Sequence, residues 1–240
     1  MKKPFVLFLF VIFSFPVFSQ NMENRSFEFS IRTKDVKWKQ MSIFERIQAL
    51  QIPEDIIHGI PTSELLETCL DFPYLIDILF SDNLQSGFVE LTIEFNGFRE
   101  LLCRKDLTET VLTKNNSLPY EIARDYGGIY EKGIFSIKWL VFEMILTQDS
   151  VLSCMNKDSI DMLLSSSKEN IKIKNDNPSI FSSLNTIPTY LLFAKHIMKD
   201  EAFRLFGKED KHIITRFVEN PVGGPDSVIP LIMKYIGSNY

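Results

Sequence analysis

The sequence predicts an all-α fold, an array of about ten short helices forming either an armadillo-like α-solenoid or an irregular helical bundle. Three observations carry that expectation. Apolar residues recur every three or four positions through most of the chain. Capping and stopping residues punctuate those stripes at short intervals. No alternation strong enough for a sheet follows residue 38.

The first twenty residues read differently from the rest. Lys2 and Lys3 open the chain, Phe5 to Phe15 is apolar except for Ser14, and Pro16 breaks the run before Val17-Phe18-Ser19. That order of basic, apolar and small residues is the layout of a secretory signal peptide. The apolar run is about 11 residues, too short for a bilayer core that needs roughly 20. No Cys stands near the cleavage site to carry a lipid, so no stable membrane insertion is expected after cleavage. The expected organisation is a signal peptide at 1–20, a flexible leader at 21–37 and a single helical domain at 38–240. In the leader, Phe27, Phe29 and Ile31 alternate with Glu28 and Ser30, a strand-like period without a partner strand.

From Trp38 the helices follow one another. Ser42 with Glu45 fits a capping box, and Ile43, Ile47 and Leu50 form a stripe behind it. Pro53 opens the next helix and Gly59 closes it. Thr62 or Ser63 caps a third, with Leu65, Leu66, Cys69 and Leu70 inward, and Tyr74 to Phe80 adds one or two turns. Leu84, Phe88, Leu91, Phe95 and Phe98 mark the clearest buried face in the front half, with Asn96-Gly97 as its C-terminal cap. Two helices are expected at Phe98–Arg104 and Leu107–Lys114, then a weak one over Tyr120–Tyr130 that Gly127-Gly128 stops.

Phe135 to Leu146 is apolar on nearly all sides, with Lys138 and Glu143 its only charges, as a helix at the centre of a core would be. Asp149 and Asp158 are expected to cap the next two helices. Leu191, Ala194, Ile197 and Met198 share one face of a helix over Pro188–Phe206, with Gly207 beyond its end. A helix at Asp210–Glu219, the loop Asn220–Pro225 and a last helix capped by Asp226 and ended by Gly237 complete the chain. No fixed repeat is present: Ile60-Pro61-Thr62 recurs as Ile187-Pro188-Thr189, but the flanking residues do not match.

Several front-half stretches carry a resemblance. Gln51-Ile52-Pro53-Glu54-Asp55, Thr62–Leu70, Phe72-Pro73, Asn83–Phe88 and Phe95-Asn96-Gly97 resemble a group of exported, helix-rich proteins of Bacteroidetes. The likeness runs from about Trp38 to Phe206 and is sharpest over residues 38–104. It implies a fold and an address outside the cytoplasm, and it carries no activity or catalytic residue.

Composition narrows the function. Loss of Lys2 and Lys3 takes the formal net charge from −5 to −7, and the longest basic cluster, Lys34 to Lys39, is interrupted by Asp35. Nucleic-acid binding needs concentrated Lys and Arg, so it is disfavoured. Cys69, Cys103 and Cys154 are too few for a disulfide scaffold; each has an apolar neighbour, which points to buried thiols or one bridge of any pairing.

The residues with chemistry are scattered. Cys154 is the least implausible nucleophile, yet His58, His196 and His212 carry no local signature that would pair one with it. Glu54–His58 and His196–Asp200 have the spacing to share a helix face, as surface pairs commonly do, and no metal or cofactor is expected. Glu90 and Glu94 read as a solvated face rather than a hydrolytic pair. The one candidate for ligand binding is Tyr126-Gly127-Gly128-Ile129-Tyr130, two aromatics around a flexible turn; a helix C-cap with packed tyrosines is the plainer alternative. The expected function is a non-enzymatic protein- or ligand-binding module with a partner outside the cytoplasm. A secreted hydrolase acting on cell-envelope or host polymers is the alternative.

Overall fold

A computed structural model describes residues 27–29, 35–117, 128–222 and 227–239. The expected signal peptide at 1–20 lies outside the described residues, as do Ile31 and Asp226. Among the described residues the chain is all-α, with thirteen α-helices, three 3-10 helices and no strand.

The front half begins with α1 (Val36–Gln40) and α2 (Ile43–Ala49). The Ser42 hydroxyl accepts from the Glu45 amide, and the Glu45 carboxylate accepts from the Ser42 amide at 2.7 Å, so the capping box forms as the sequence indicates. Then come α3 (Glu54–Ile57), α4 (Thr62–Leu70), a first 3-10 helix (Leu75–Phe80) and α5 (Leu84–Glu94). Two more follow, α6 (Asn96–Cys103) and α7 (Leu107–Ser117). Phe27 and Phe29 form no strand. The Phe27 amide donates to Thr68 Oγ1 at 2.7 Å, and Phe29 packs its ring 5.9 Å from that of Phe95.

Asn96-Gly97 is not a C-terminal cap. Helix α5 stops at Phe95, which is extended, and Asn96 starts a separate helix that carries Phe98. The buried Asn96 amide accepts from the Ile52 N–H at 3.0 Å and donates to the Ile52 carbonyl at 2.7 Å. Two backbone groups at the α2–α3 turn are thereby satisfied by a residue 44 positions away. Gly97 is required beside it, because a Cβ there would lie 2.4 Å from the Phe95 ring. That ring in turn stacks on Phe72 at 4.6 Å.

The rear half consists of α8 (Ile129–Leu146), α9 (Asp149–Leu152), α10 (Lys157–Asp176), a second 3-10 helix (Ser183–Thr186) and α11 (Ile187–Lys199). A third 3-10 helix (Glu201–Leu205), α12 (Lys208–Glu219) and α13 (Val228–Asn239) end it. Several expected boundaries move, and α13 runs through Gly237 to Asn239. The cap of α10 is Asn156, whose side chain accepts from the Ser159 amide, rather than Asp158. Asp149 is the first residue of α9 instead of its cap. Gly207 precedes α12 rather than closing α11, which ends eight residues earlier.

Packing explains the all-round apolar helix. In α8 every residue from Trp139 to Leu146 is buried. Helix α11 lies against α8, α10, α12, α13 and the two 3-10 helices that flank it, and nine of its thirteen residues are buried. One hydrophobic core joins the halves, running from Trp38 through Phe95 and Phe142 to Ile236. This is an irregular helical bundle in which α7 bridges to α9 and α10, while the first 3-10 helix and α5 also meet α8.

Candidate binding surface

The strongest polar cluster is sealed inside the bundle. Glu143 of α8 and Lys174 of α10 form a buried ion pair. Lys174 Nζ also donates to the Asn185 carbonyl at 2.6 Å and to Thr189 Oγ1 at 2.9 Å. Glu143 accepts from Trp139 Nε1 at 2.7 Å and from Thr189 Oγ1 at 3.0 Å. Burial pushes the Lys174 ammonium below the usual lysine value, while the Glu143 charge and its hydrogen bond oppose that. The side chain of Lys174 has no exposed surface and that of Glu143 has 5%, so no substrate reaches either. The pair ties α8, α10, the second 3-10 helix and α11 into one register.

The residues singled out in the sequence are not brought together. Tyr126 and Gly127 lie outside the described residues. Gly128 is the residue immediately before α8, and Tyr130 belongs to the first turn of that helix with 73% exposure, so this tyrosine does not pack inward. Gly223 to Pro225 also lie outside the described residues. His58 Nε2 is 4.0 Å from Glu54, and its Nδ1 is 3.2 Å from Glu100, which Arg104 approaches at 2.8 Å. His196 is 4.0 Å from Asp200, which accepts from the Tyr235 hydroxyl at 2.6 Å. Among the described residues no three His, Cys, Asp or Glu side chains converge as a metal would require.

The three cysteines differ in exposure. All three are free thiols, but only Cys69 is buried; Cys103 and Cys154 are exposed, because an adjacent leucine says nothing of which way the neighbouring side chain turns. Cys154 lines a cleft of about 470 Å³ between α7 and the start of α10, beside Asp106, Glu109 and Met162. No histidine lines this cleft, so the thiol has no imidazole base there.

A different face, on the first 3-10 helix and α5, gathers apolar and acidic side chains at the surface. These two elements pack closely because Gly87 of α5 allows it: a Cβ at Gly87 would stand 2.3 Å from the Ile78 carbonyl oxygen. On the 3-10 helix Ile76 and Phe80 are exposed, Phe80 by 80%. On α5 Val89 and Ile93, one turn apart, are exposed, Ile93 by 67%. Between them lie carboxylates. Glu90 accepts from the Ser81 hydroxyl at 2.6 Å, and Asp77 stands near enough to Glu94 to act on its ionisation. Residues three apart eclipse in a 3-10 helix, so Asp77 and Phe80 share a side.

Glu94 is therefore not part of a freely solvated helix face. Burial above all, then the charges of Asp77 and Glu90, push its carboxyl above the ordinary glutamate value, and burial does the same to Asp77. Glu94 and Ile93 also line a second cleft of about 470 Å³, which extends to Gln51, Pro53 and Arg99. The sequence signal for this face is the pair Ile76/Phe80, which breaks the buried pattern at Leu75 and Ile78. Comparison of the chain with protein-family models, curated proteins and solved structures found no match.

Proposed function

We propose that this chain is a non-enzymatic binding module, exported from the cytoplasm, that engages a protein partner through the face made by the first 3-10 helix and α5. The observation that carries the reading is the exposure of Phe80, Val89 and Ile93 on two elements packed against each other. Large apolar side chains left exposed on adjoining elements cost solvation free energy that a partner recovers. The sealed state of the Glu143–Lys174 pair supports the same reading, since a hydrolytic centre needs its ionisable groups open to substrate.

The test has two parts. Expression of the full chain followed by fractionation and mass spectrometry should recover, outside the cytoplasm, a form beginning near Gln20. Capture from an envelope extract should then enrich a partner on the wild-type protein and lose it on Phe80→Ser/Ile93→Ser, with the fold of the variant checked by circular dichroism. Equal capture by both proteins, or retention of an unprocessed chain in the cytoplasm, would overturn the reading.

A further inference from the structure

We infer that the occupant of this face is a cationic amphipathic peptide segment, one whose Lys or Arg side chains meet the acidic patch of Asp77, Glu90 and Glu94 while its apolar side chains cover Phe80, Val89 and Ile93. The inference rests on the binding-module reading and specifies its partner by chemistry.

The patch lacks a paired cation. Among the described residues no Lys, Arg or His forms an ion pair with Asp77, Glu90 or Glu94, whereas Glu67, Asp71, Glu100 and Asp149 each have one. Arg99 lines the same cleft as Glu94 and is not paired with it. One carboxylate oxygen, Glu94 Oε2, is buried without a hydrogen-bond partner. A buried acceptor left unsatisfied is costly, and like charges raise that cost. An incoming ammonium or guanidinium at the accessible oxygens of Glu90 and its neighbours supplies the opposite charge that offsets this repulsion.

The flanks fix the rest of the partner. Phe80 lies one 3-10 turn from Asp77, and Val89 and Ile93 adjoin Glu90 and Glu94 along α5, so each element carries exposed apolar side chains beside its acids. A free cation or a polyamine would leave those side chains in water. A metal ion is disfavoured, because the carboxylates do not converge on one point. A second copy of this chain would bring the same acids against each other, and the net charge of −5 adds to that repulsion. An amphipathic segment carrying basic residues satisfies acids and apolar flanks together, as helix-in-groove recognition does.

Titration of the intact protein with synthetic amphipathic peptides tests this by fluorescence anisotropy. The probes are a Lys/Leu helix, its Glu/Leu counterpart and a Lys/Ser peptide of equal charge, measured at low and moderate salt. The proteins are wild type, Asp77→Asn/Glu90→Gln/Glu94→Gln and Phe80→Ser, with melting curves confirming that the variants fold. The Lys/Leu peptide should bind best, and the triple amide variant should weaken it about tenfold or more, with weakening by salt as well. Phe80→Ser should also weaken it. Equal binding by the triple variant, or by the Lys/Ser peptide, would overturn the proposal, as would a wild-type preference for the Glu/Leu peptide. Calcium ion alone raising the melting temperature of the wild type, and not of the triple variant, would replace the peptide by a metal. If these fail while Phe80-dependent partner capture persists, the binding module stands and only the charge assignment falls.

Discussion

Lys174 reaches Glu143 across the interface of α10 and α8, 31 residues apart in sequence, with its ammonium wholly buried. Taking two charges from water costs several kcal/mol each, and the pair is held by four further groups: Trp139, Asn170, Asn185 and Thr189. Lys174→Met leaves the carboxylate without its counter-charge and should cost about 3–5 kcal/mol in urea denaturation. The double variant Glu143→Leu/Lys174→Met should cost less than the sum of the single changes by about 1–3 kcal/mol. Strict additivity would mean that the two charges do not act on each other.

Two helical glycines should respond in opposite directions to alanine. Gly87→Ala drives a Cβ into the Ile78 backbone and should destabilise by about 2–3 kcal/mol, because backbone cannot swing away as a side chain can. Gly133 of α8 is exposed, and a Cβ there would meet nothing within 4 Å, so Gly133→Ala should stabilise by about 0.5–1 kcal/mol. Thermal melts of the two variants check both signs.

Thiol labelling should separate the cysteines. Cys103 and Cys154 are exposed and should react with a disulfide reagent in the native protein. Cys69 is buried and burial raises its thiol pKa well above the usual range, so it should react only on unfolding. Rapid labelling of all three thiols in the folded chain would contradict the packing of α4.

His196 makes the stability of the rear bundle pH-dependent. Burial lowers its pKa below the ordinary 6.5, with Asp200 and Asp161 opposing and Lys199 adding to the shift. The unfolded chain then binds the proton more readily than the folded one. The contribution of His196 is therefore complete above about pH 6.5 and is lost as pH falls through the lowered value. Melting temperature between pH 7 and pH 5 should fall more steeply for wild type than for His196→Phe. Parallel curves would exclude this histidine as the cause.

Local rules carried much of the architecture. Ser42 with Glu45, the stripe through Leu84, Phe88 and Leu91, and the all-round apolar run ending at Leu146 each depend on neighbours within one or two turns, and each is found in the fold. What escaped depends on distant partners. Asn96 looks like a helix stop until Ile52, 44 residues earlier, is seen to bond its amide. Glu94 looks solvated until the 3-10 helix brings Asp77 beside it. The lysine that neutralises Glu143 lies two helices away, and nothing in the spacing of either residue announces the other.

The place of α11 in the chain sets a timetable for assembly. The surfaces of α8, α10, α12 and α13 all close on a segment that begins at residue 187 of 240. During synthesis α8 and α10 leave the ribosome before α11, so the apolar flanks they turn toward it have no spindle to close on until it follows, and α12 and α13 can only be added afterwards.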